Sequence, residues 1–139
     1  MIESLSHVTF IVKDLDRTSE LFKSIFDAQE IYSSEEKTFS LSREKFFLIA
    51  GQWIVLMEGN SLSERTYHHL AFKIKEAEFE IYRKKLNDLD VELGESRSRV
   101  DGEGQSLYFY DFDNHLFELH TGTLPERLKR YKKTKRDDK

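Results

Sequence analysis

Cysteine is absent from this sequence of 139 residues, and proline, tryptophan and glycine are scarce, with one, one and six residues. The lack of cysteine excludes disulfide bonds, thiolate metal sites and a cysteine nucleophile, and it fits a reducing cytoplasm. No apolar run is long enough to span a bilayer, and the first residues lack the basic and apolar segments of a signal peptide. We therefore expect a cytoplasmic protein that makes no membrane contact.

The balance of charge excludes a further class of partner. Asp and Glu outnumber Lys and Arg by 26 to 22, so the formal net charge is −4 and we expect no nucleic-acid partner. A hydrophobic content of 38% in 139 residues suits one compact domain or two small fused modules. Residues 132–139, KKTKRDDK, contain no apolar side chain, and we expect this tail to be disordered.

Hydrophobic patterning predicts an α+β fold in which short strands alternate with amphipathic helices. Alternation with a period of two favours strands, and apolar spacing of three to four residues favours helices. The predicted strands cover residues 5–13, 30–33, 38–41, 46–50, 53–58, 67–75, 91–93, 106–110 and 115–120. The predicted helices cover residues 14–27, with Asp14 as the N-cap, and residues 76–89 and 123–131.

The sequence contains an internal repeat, which divides the chain into two similar modules. HVTFIVKD at residues 7–14 aligns with HLAFKIKE at residues 69–76, so His7 matches His69 and each copy runs from a strand into a helix. This repeat indicates two tandem βαβββ modules, which we assign to residues 1–60 and 61–122. Residues 123–139 then form a C-terminal helix and a basic tail. A pseudo-twofold axis between the modules would bring the two histidines together.

A carboxylate lies in the middle of the apolar strand that follows the turn DFDN at residues 111–114. Burying Glu118 there is costly unless a cation meets it. By strand parity, Glu118, His7 and His69 lie opposite the aliphatic stripes of their strands. Two imidazoles and a carboxylate suit a first-row divalent ion and leave positions open for a substrate, although a single histidine is more often structural. His120 shares the face of Glu118 and could orient a metal ligand through a hydrogen bond without binding the metal itself.

The sequence resembles the fosfomycin-resistance proteins of the vicinal oxygen chelate superfamily, which also contains glyoxalases, bleomycin resistance proteins and dioxygenases. The similar stretches lie within residues 1–131 and are HVTFIVKDL, FSLSREKFFLIAG, RTYHHLAFKI and GEGQSLYFYDFDNHLFELHTGTLPERL. The paired histidines and the turn DFDNHLFE are general to the superfamily. SREKFF is more specific to the epoxide hydrolase subtype, FosX.

This resemblance implies a vicinal oxygen chelate fold of paired βαβββ modules and a module-swapped homodimer, in which modules from two chains complete each site. It implies Mn²⁺, or another divalent first-row ion, held by His7, His69 and Glu118. The implied substrate is fosfomycin or a related phosphonate epoxide. The implied catalytic residues are Glu44, as general base, and Thr9, near the reacting oxygen. The implied substrate contacts are Trp53, Ser106, Tyr108 and Arg127.

The chemistry that the resemblance implies agrees with the residue types. A protein without cysteine must recruit an external nucleophile, and Glu44 could deprotonate a water that opens the epoxide at the carbon bearing the phosphonate. From sequence pattern alone, however, Glu44 would be an ordinary surface carboxylate. Arg127 offers a planar fork for an oxyanion, and the loop at residues 97–105 offers Arg99 as a further anion contact.

Three other functions stay open at this point. A thiol such as glutathione could attack the same epoxide on the same fold and metal site, which would make the protein a transferase. An Fe(II) ring-cleaving dioxygenase could also use two histidines and a carboxylate. A drug-binding protein without catalysis is the third alternative, which the intact set of metal ligands disfavours.

Overall fold

The structure, a computed structural model, describes residues 1–94 and 103–137, and in the last helix it describes side chains as far as residue 133. The chain forms two compact units. Unit 1 comprises Met1–Arg65 together with Phe112–His115, and unit 2 comprises Thr66–Asp111 together with Leu116–Lys139. The modules at residues 1–60 and 61–122, and the terminal segment at residues 123–139, stay a prediction. Arg99, suggested as an anion contact, lies outside the described residues.

Unit 1 is a four-stranded sheet with a helix packed on one face. Its elements are β1 (His7–Val12), α1 (Leu15–Phe26), β2 (Gln29–Ser33), β3 (Glu44–Ile49) and β4 (Gln52–Glu58), and the strand order is β1-β4-β3-β2. The side chain of Asp14 accepts a hydrogen bond from the Arg17 amide, which confirms the predicted N-cap. Phe22 of α1 packs against the rings of Phe10 and Phe47, so the core of this unit lies between α1 and the sheet.

The loop between β2 and β3 differs from the prediction. The sequence pattern predicts a strand over residues 38–41, but the segment bends there, and Phe39 and Leu41 are exposed. The prediction is wrong because all four residues of this segment are exposed, so no buried face holds the segment against the sheet. Alternation alone does not form a strand.

Unit 2 repeats the architecture with a smaller sheet. Its elements are β5 (His69–Lys73), a 3₁₀ turn (Glu76–Glu78), α2 (Phe79–Asp88), β6 (Ser106–Tyr110), β7 (Leu116–His120) and α3 (Leu124–Asp137), and the strand order is β5-β7-β6. The strand predicted over residues 91–93 is reduced to a single bridge between Leu93 and Phe109. Phe79 and Leu86 are buried on the apolar stripe of α2, as the sequence pattern predicts.

The terminal helix is longer than the sequence pattern predicts. α3 runs to Asp137, so the expectation of a disordered tail from residue 132 is wrong as far as residue 137. The Thr123 hydroxyl caps the helix, because it donates to Glu126 Oε1 over 2.6 Å and accepts from the Glu126 amide over 3.3 Å. Lys and Arg are good helix formers, which explains how a segment without apolar residues extends the helix. No helix among the described residues is long and apolar enough to cross a membrane.

Candidate functional site

One face of the unit 1 sheet carries the predicted site residues of that unit. In the strand register, His7 of β1 pairs with Trp53 of β4, and Thr9 pairs with Val55. Glu44 of β3 pairs with Met57 of β4, which puts it on the same face as Trp53 by the alternation of side chains. Phe10 and Phe47 point to the opposite face, where α1 packs. The sheet therefore presents a histidine, a threonine, a carboxylate and an indole on the side away from its helix.

His7 and Trp53 are in direct contact on this face. Their ring centroids lie 4.2 Å apart, and Nδ1 of His7 lies 3.0 Å from the Ser6 hydroxyl oxygen. Phe46 also contacts the indole, in an edge-to-face arrangement with ring centroids 5.2 Å apart. The indole Nε1 is buried and has no hydrogen-bond partner in the described part of the chain. Trp53 thus forms a rigid aromatic wall beside His7, with one donor still available.

Glu44 is buried, with an exposed fraction of only 8%. Its backbone is held by Ser34, whose hydroxyl accepts from the Glu44 amide over 2.9 Å and whose amide donates to the Glu44 carbonyl over 3.0 Å. Among the side chains described at residues 1–94 and 103–133, and the backbone of the described residues, no group hydrogen-bonds or forms an ion pair with its carboxylate. A buried carboxylate without a partner is costly to the fold and is a feature of functional sites. Glu44 is therefore not the surface carboxylate that its polar sequence neighbourhood suggests.

An ion pair fixes the end of the strand pair at which Glu44 lies. The Arg43 guanidinium donates to both carboxylate oxygens of Glu58, and the Glu58 amide donates to the Arg43 carbonyl over 2.9 Å. The Ser42 hydroxyl donates to the Glu58 carbonyl over 2.6 Å. The hydrogen bond from Arg43 holds the pKa of the Glu58 carboxyl below its ordinary value of 4.5, and Glu58 in turn raises the pKa of Arg43.

Replacing Arg43 with glutamine is expected to raise the pKa of Glu58, because the arginine hydrogen bond that lowers it is lost while Asp14 and Asp16, which raise it, remain. Since that pKa is lowered in the folded state, the pair stabilises the fold above the ordinary pKa, and the stabilisation is lost as pH falls through the lowered pKa. R43Q should therefore be less stable than the parent at neutral pH, and the difference in their stability should disappear in acid. Carbon-13 NMR titration of the side-chain carboxyls measures the shift. R83Q, which changes an arginine on α2 next to Glu80, is the control, and an unchanged Glu58 pKa in R43Q would contradict the assignment.

One face of the unit 2 sheet carries the remaining predicted residues of the metal site and two of the substrate contacts. Glu118 lies on the central strand β7, where it pairs with Ala71 of β5 and Tyr108 of β6. His69 pairs with Leu116 and Ser106 pairs with His120, so both share the face of Glu118. The structure thus brings His69, Glu118, Ser106 and Tyr108 together, as strand parity predicts.

His69 and Glu118 are arranged in a way that calls for a cation. Nδ1 of His69 lies 2.6 Å from the Tyr67 carbonyl oxygen, which can only accept, so Nδ1 carries the hydrogen and Nε2 of the neutral ring has a lone pair. Nε2 lies 3.0 Å from Oε1 of Glu118, whose side chain is almost fully buried. Two acceptor atoms that face each other need a proton or a metal ion. A histidine that binds a metal usually donates its other ring N–H to a carbonyl or carboxylate oxygen, as Nδ1 of His69 does here. These residues therefore fit a divalent metal.

The third predicted metal ligand, His7, belongs to unit 1. Among the side chains described in one chain, at residues 1–94 and 103–133, no three of His, Asp or Glu form a group that could hold a metal ion. Unit 2 therefore supplies two of the three predicted ligands, and the set of three stays a prediction.

Arg127 and Tyr108 each have polar partners in unit 2. Nη2 of Arg127, on α3, lies 3.2 Å from Nε2 of His120, and its Nε lies 3.7 Å from Oε1 of Glu103. The hydroxyl oxygens of Tyr108 and Tyr67 lie 3.1 Å apart. These contacts fix both side chains next to the face that carries Glu118.

Sequence reasoning missed two residues of this site, Glu103 and Tyr67. Glu103 is only 1% exposed, and its Oε1 accepts from the Tyr131 hydroxyl over 2.5 Å. No local pattern marks Glu103, because its burial depends on residues of α3 that lie far along the chain. Tyr67 precedes the strand that carries His69 by two residues, and its aromatic ring next to a histidine pair is the one signal that could have indicated it.

Comparison with known proteins identifies the family and the relatives. The family described as the Glyoxalase/Bleomycin resistance protein/Dioxygenase superfamily matches residues 4–119. Fosfomycin resistance protein FosX of Listeria innocua serovar 6a is 62% identical over 133 residues, which cover 96% of this chain and 100% of that protein. Metallothiol transferase FosB of Staphylococcus saprophyticus is 37% identical over 139 residues, which cover 97% of this chain and 87% of that protein.

A solved structure of a FosX protein is also similar. The crystal structure of a mutant FosX from Listeria monocytogenes, complexed with Mn(II) and 1S,2S-dihydroxypropylphosphonic acid, has a TM-score of 0.87 and 58% identity. The match covers 94% of this chain and 99% of that chain. The fold expected from the sequence is thereby confirmed.

Proposed function

We propose a function from one premise: this chain belongs to the Glyoxalase/Bleomycin resistance protein/Dioxygenase superfamily and, within it, to the FosX family. We infer that it is a Mn²⁺-dependent epoxide hydrolase that opens the ring of fosfomycin, gives the diol and so confers resistance to the antibiotic. The observation that carries this inference is the buried carboxylate of Glu44, which has no partner among the described residues and shares a sheet face with His7.

His7, His69 and Glu118 hold the metal ion in this proposal. Two observations support this metal site. Nε2 of His69 has a lone pair, because Nδ1 carries the hydrogen, and Nε2 faces the acceptor Oε1 of Glu118. When bound, Mn²⁺ supplies Lewis acidity to the epoxide oxygen. We further propose a module-swapped homodimer, in which His7 of one protomer completes the site with His69 and Glu118 of the other. The internal repeat supports this arrangement, because it puts His7 and His69 at equivalent positions of two similar modules.

Glu44 acts as the general base. Its carboxylate takes a proton from a water molecule, whose oxygen attacks the epoxide carbon that bears the phosphonate. The carbon–oxygen bond of the ring breaks, and the released oxygen takes up a proton to become the second hydroxyl of the diol. The position of Glu44 suits this role, because its carboxylate lies on the same sheet face as His7 and Trp53. Thr9, on the same sheet face as Glu44, contacts the reacting oxygen.

The phosphonate is held by the polar side chains that surround Glu118. Arg127 presents a planar guanidinium, which matches two oxygens of an oxyanion. Ser106 and Tyr108 supply hydroxyl groups from β6, and Trp53 forms the wall of the pocket. The substrate is therefore fosfomycin or a related phosphonate epoxide. The absence of cysteine from the chain supports a reaction in the reducing cytoplasm.

Phosphorus NMR of fosfomycin incubated with the protein and Mn²⁺, with and without glutathione, tests this function. We expect a diol signal of equal size in both tubes. A new signal only with glutathione would make the protein a thiol transferase, the second candidate, which the 37% identity to Metallothiol transferase FosB supports. Unaltered fosfomycin in both tubes would contradict both enzymes and favour a drug-binding protein, and oxygen uptake with a catechol and Fe(II) would favour a dioxygenase.

A further inference from the structure

A chain of hydrogen bonds runs behind Glu118 to the terminal helix. It connects Glu118, Ser106, His120 and Arg127, and it involves the one histidine of this sheet face to which the proposed mechanism gives no role. We propose that His120 is a positioning residue that holds Glu118 through Ser106 and holds Arg127 directly. The proposal rests on the proposed function, because it concerns the metal carboxylate and the phosphonate arginine of that site.

The direction of each hydrogen bond follows from the donors and acceptors. Arg127 can only donate, so Nε2 of His120, 3.2 Å from Arg127 Nη2, accepts. The hydrogen of the neutral imidazole then lies on Nδ1, which donates to the Ser106 hydroxyl oxygen over 2.7 Å. The hydrogen of the Ser106 hydroxyl is thereby directed to Oε2 of Glu118, 2.5 Å away. The contact with Arg127 thus selects the tautomer of the neutral His120 ring that carries its hydrogen on Nδ1.

This direction leaves the other oxygen of Glu118 for the metal site. Ser106 binds Oε2, whereas Oε1 faces Nε2 of His69. Hydrogen bonds to the outer oxygen of a ligating carboxylate fix its orientation, and their loss commonly lowers metal affinity about 10- to 100-fold. The same ring contacts Arg127, a proposed phosphonate contact, through Nε2. We therefore infer that one imidazole supports both the metal carboxylate and the anion contacts.

The surroundings of His120 are built for this contact. Its side chain is only 12% exposed, so water offers its ring nitrogens little alternative. A Cβ atom on Gly122 would lie 2.7 Å from Nε2 of His120 and would collide with the Glu103 carbonyl oxygen, so glycine is required for this approach. Glu103 contacts both Arg127 and Tyr131 of α3. The arginine is thus fixed between a buried carboxylate and the imidazole.

Two substitutions at His120 separate its two contacts. In H120N the side-chain amide lies near the position of Nδ1 and can donate to Ser106, but no atom reaches Arg127. In H120Q the amide lies near the position of Nε2 and can accept from Arg127, but it no longer holds Ser106. Binding of Mn²⁺ alone is measured by electron paramagnetic resonance, and binding of methylphosphonate to the Mn²⁺-loaded protein is measured by water-proton relaxation.

We expect H120Q to weaken Mn²⁺ binding about 10-fold and to bind methylphosphonate nearly as the parent does. We expect H120N to bind Mn²⁺ nearly as the parent does and to bind methylphosphonate several-fold more weakly. H120A should show both losses. Thermal melting followed by circular dichroism identifies any variant that is not folded, and H68A, at an exposed histidine, is the matched control.

Two results would overturn the proposal. Parent-like affinities for both ligands in H120A would show that the imidazole positions neither group. Equal losses in H120N and H120Q would show that the site needs the volume of the ring rather than its hydrogen bonds. Neither measurement uses fosfomycin turnover, so a failure of the proposed function in the phosphorus NMR assay would be seen separately.

Discussion

Replacing Glu44 with glutamine is expected to lower the rate of diol formation roughly 10²- to 10⁴-fold, the usual contribution of a general base. The amide has the size of the carboxylate but cannot take a proton from water. Binding of Mn²⁺ should be unchanged, because Glu44 is not among the proposed ligands. We also expect E44Q to melt at a higher temperature than the parent, since the substitution replaces a buried charge without a partner by a neutral group.

Rates from phosphorus NMR, Mn²⁺ titration by electron paramagnetic resonance, and calorimetry check the three parts of this expectation. E64Q is the matched control, because Glu64 is an exposed carboxylate near the C-terminal end of the first segment of unit 1. Unchanged diol formation in E44Q would remove Glu44 as the base. A lower rate together with weaker Mn²⁺ binding would instead assign Glu44 to the metal site.

The strand faces of this protein could be predicted from the sequence because side-chain alternation is a local property. β1 begins at His7 and β5 begins at His69, and both histidines stay on the face that alternation predicts. Glu118 follows in the same way from its position on β7. The internal repeat added what periodicity alone could not, namely the equivalence of the two histidines.

Burial and partners depended on contacts that no local pattern contains. Glu44 is buried through the pairing of β3 with β4 and the contact with Ser34, although its neighbours in sequence are polar. Glu103 is buried against α3, which lies more than twenty residues later in the chain. The strand predicted over residues 38–41 failed for the same reason, since both faces of that segment are exposed and alternation alone does not form a strand. The helical tail shows the converse case, in which helix propensity and a good N-cap extend a helix without apolar residues.

Two inactive variants are expected to restore activity when they are combined in one dimer. H7A and E118Q should each lose diol formation, because each removes one of the three proposed metal ligands. In a hybrid of H7A and E118Q, one of the two shared sites combines His7 of the E118Q protomer with the intact His69 and Glu118 of the H7A protomer. Hybrids isolated through two different affinity tags should therefore have about half of the parent activity.

The pair H69A and E118Q distinguishes a site shared between protomers from a site built within one chain. Both substitutions lie in unit 2, so every site of that hybrid lacks either His69 or Glu118, and we expect no activity. If each site used the ligands of one chain, neither hybrid would recover, because every chain would carry its own defect. Activity in the first hybrid and none in the second therefore requires that His7 and the pair formed by His69 and Glu118 act from different protomers.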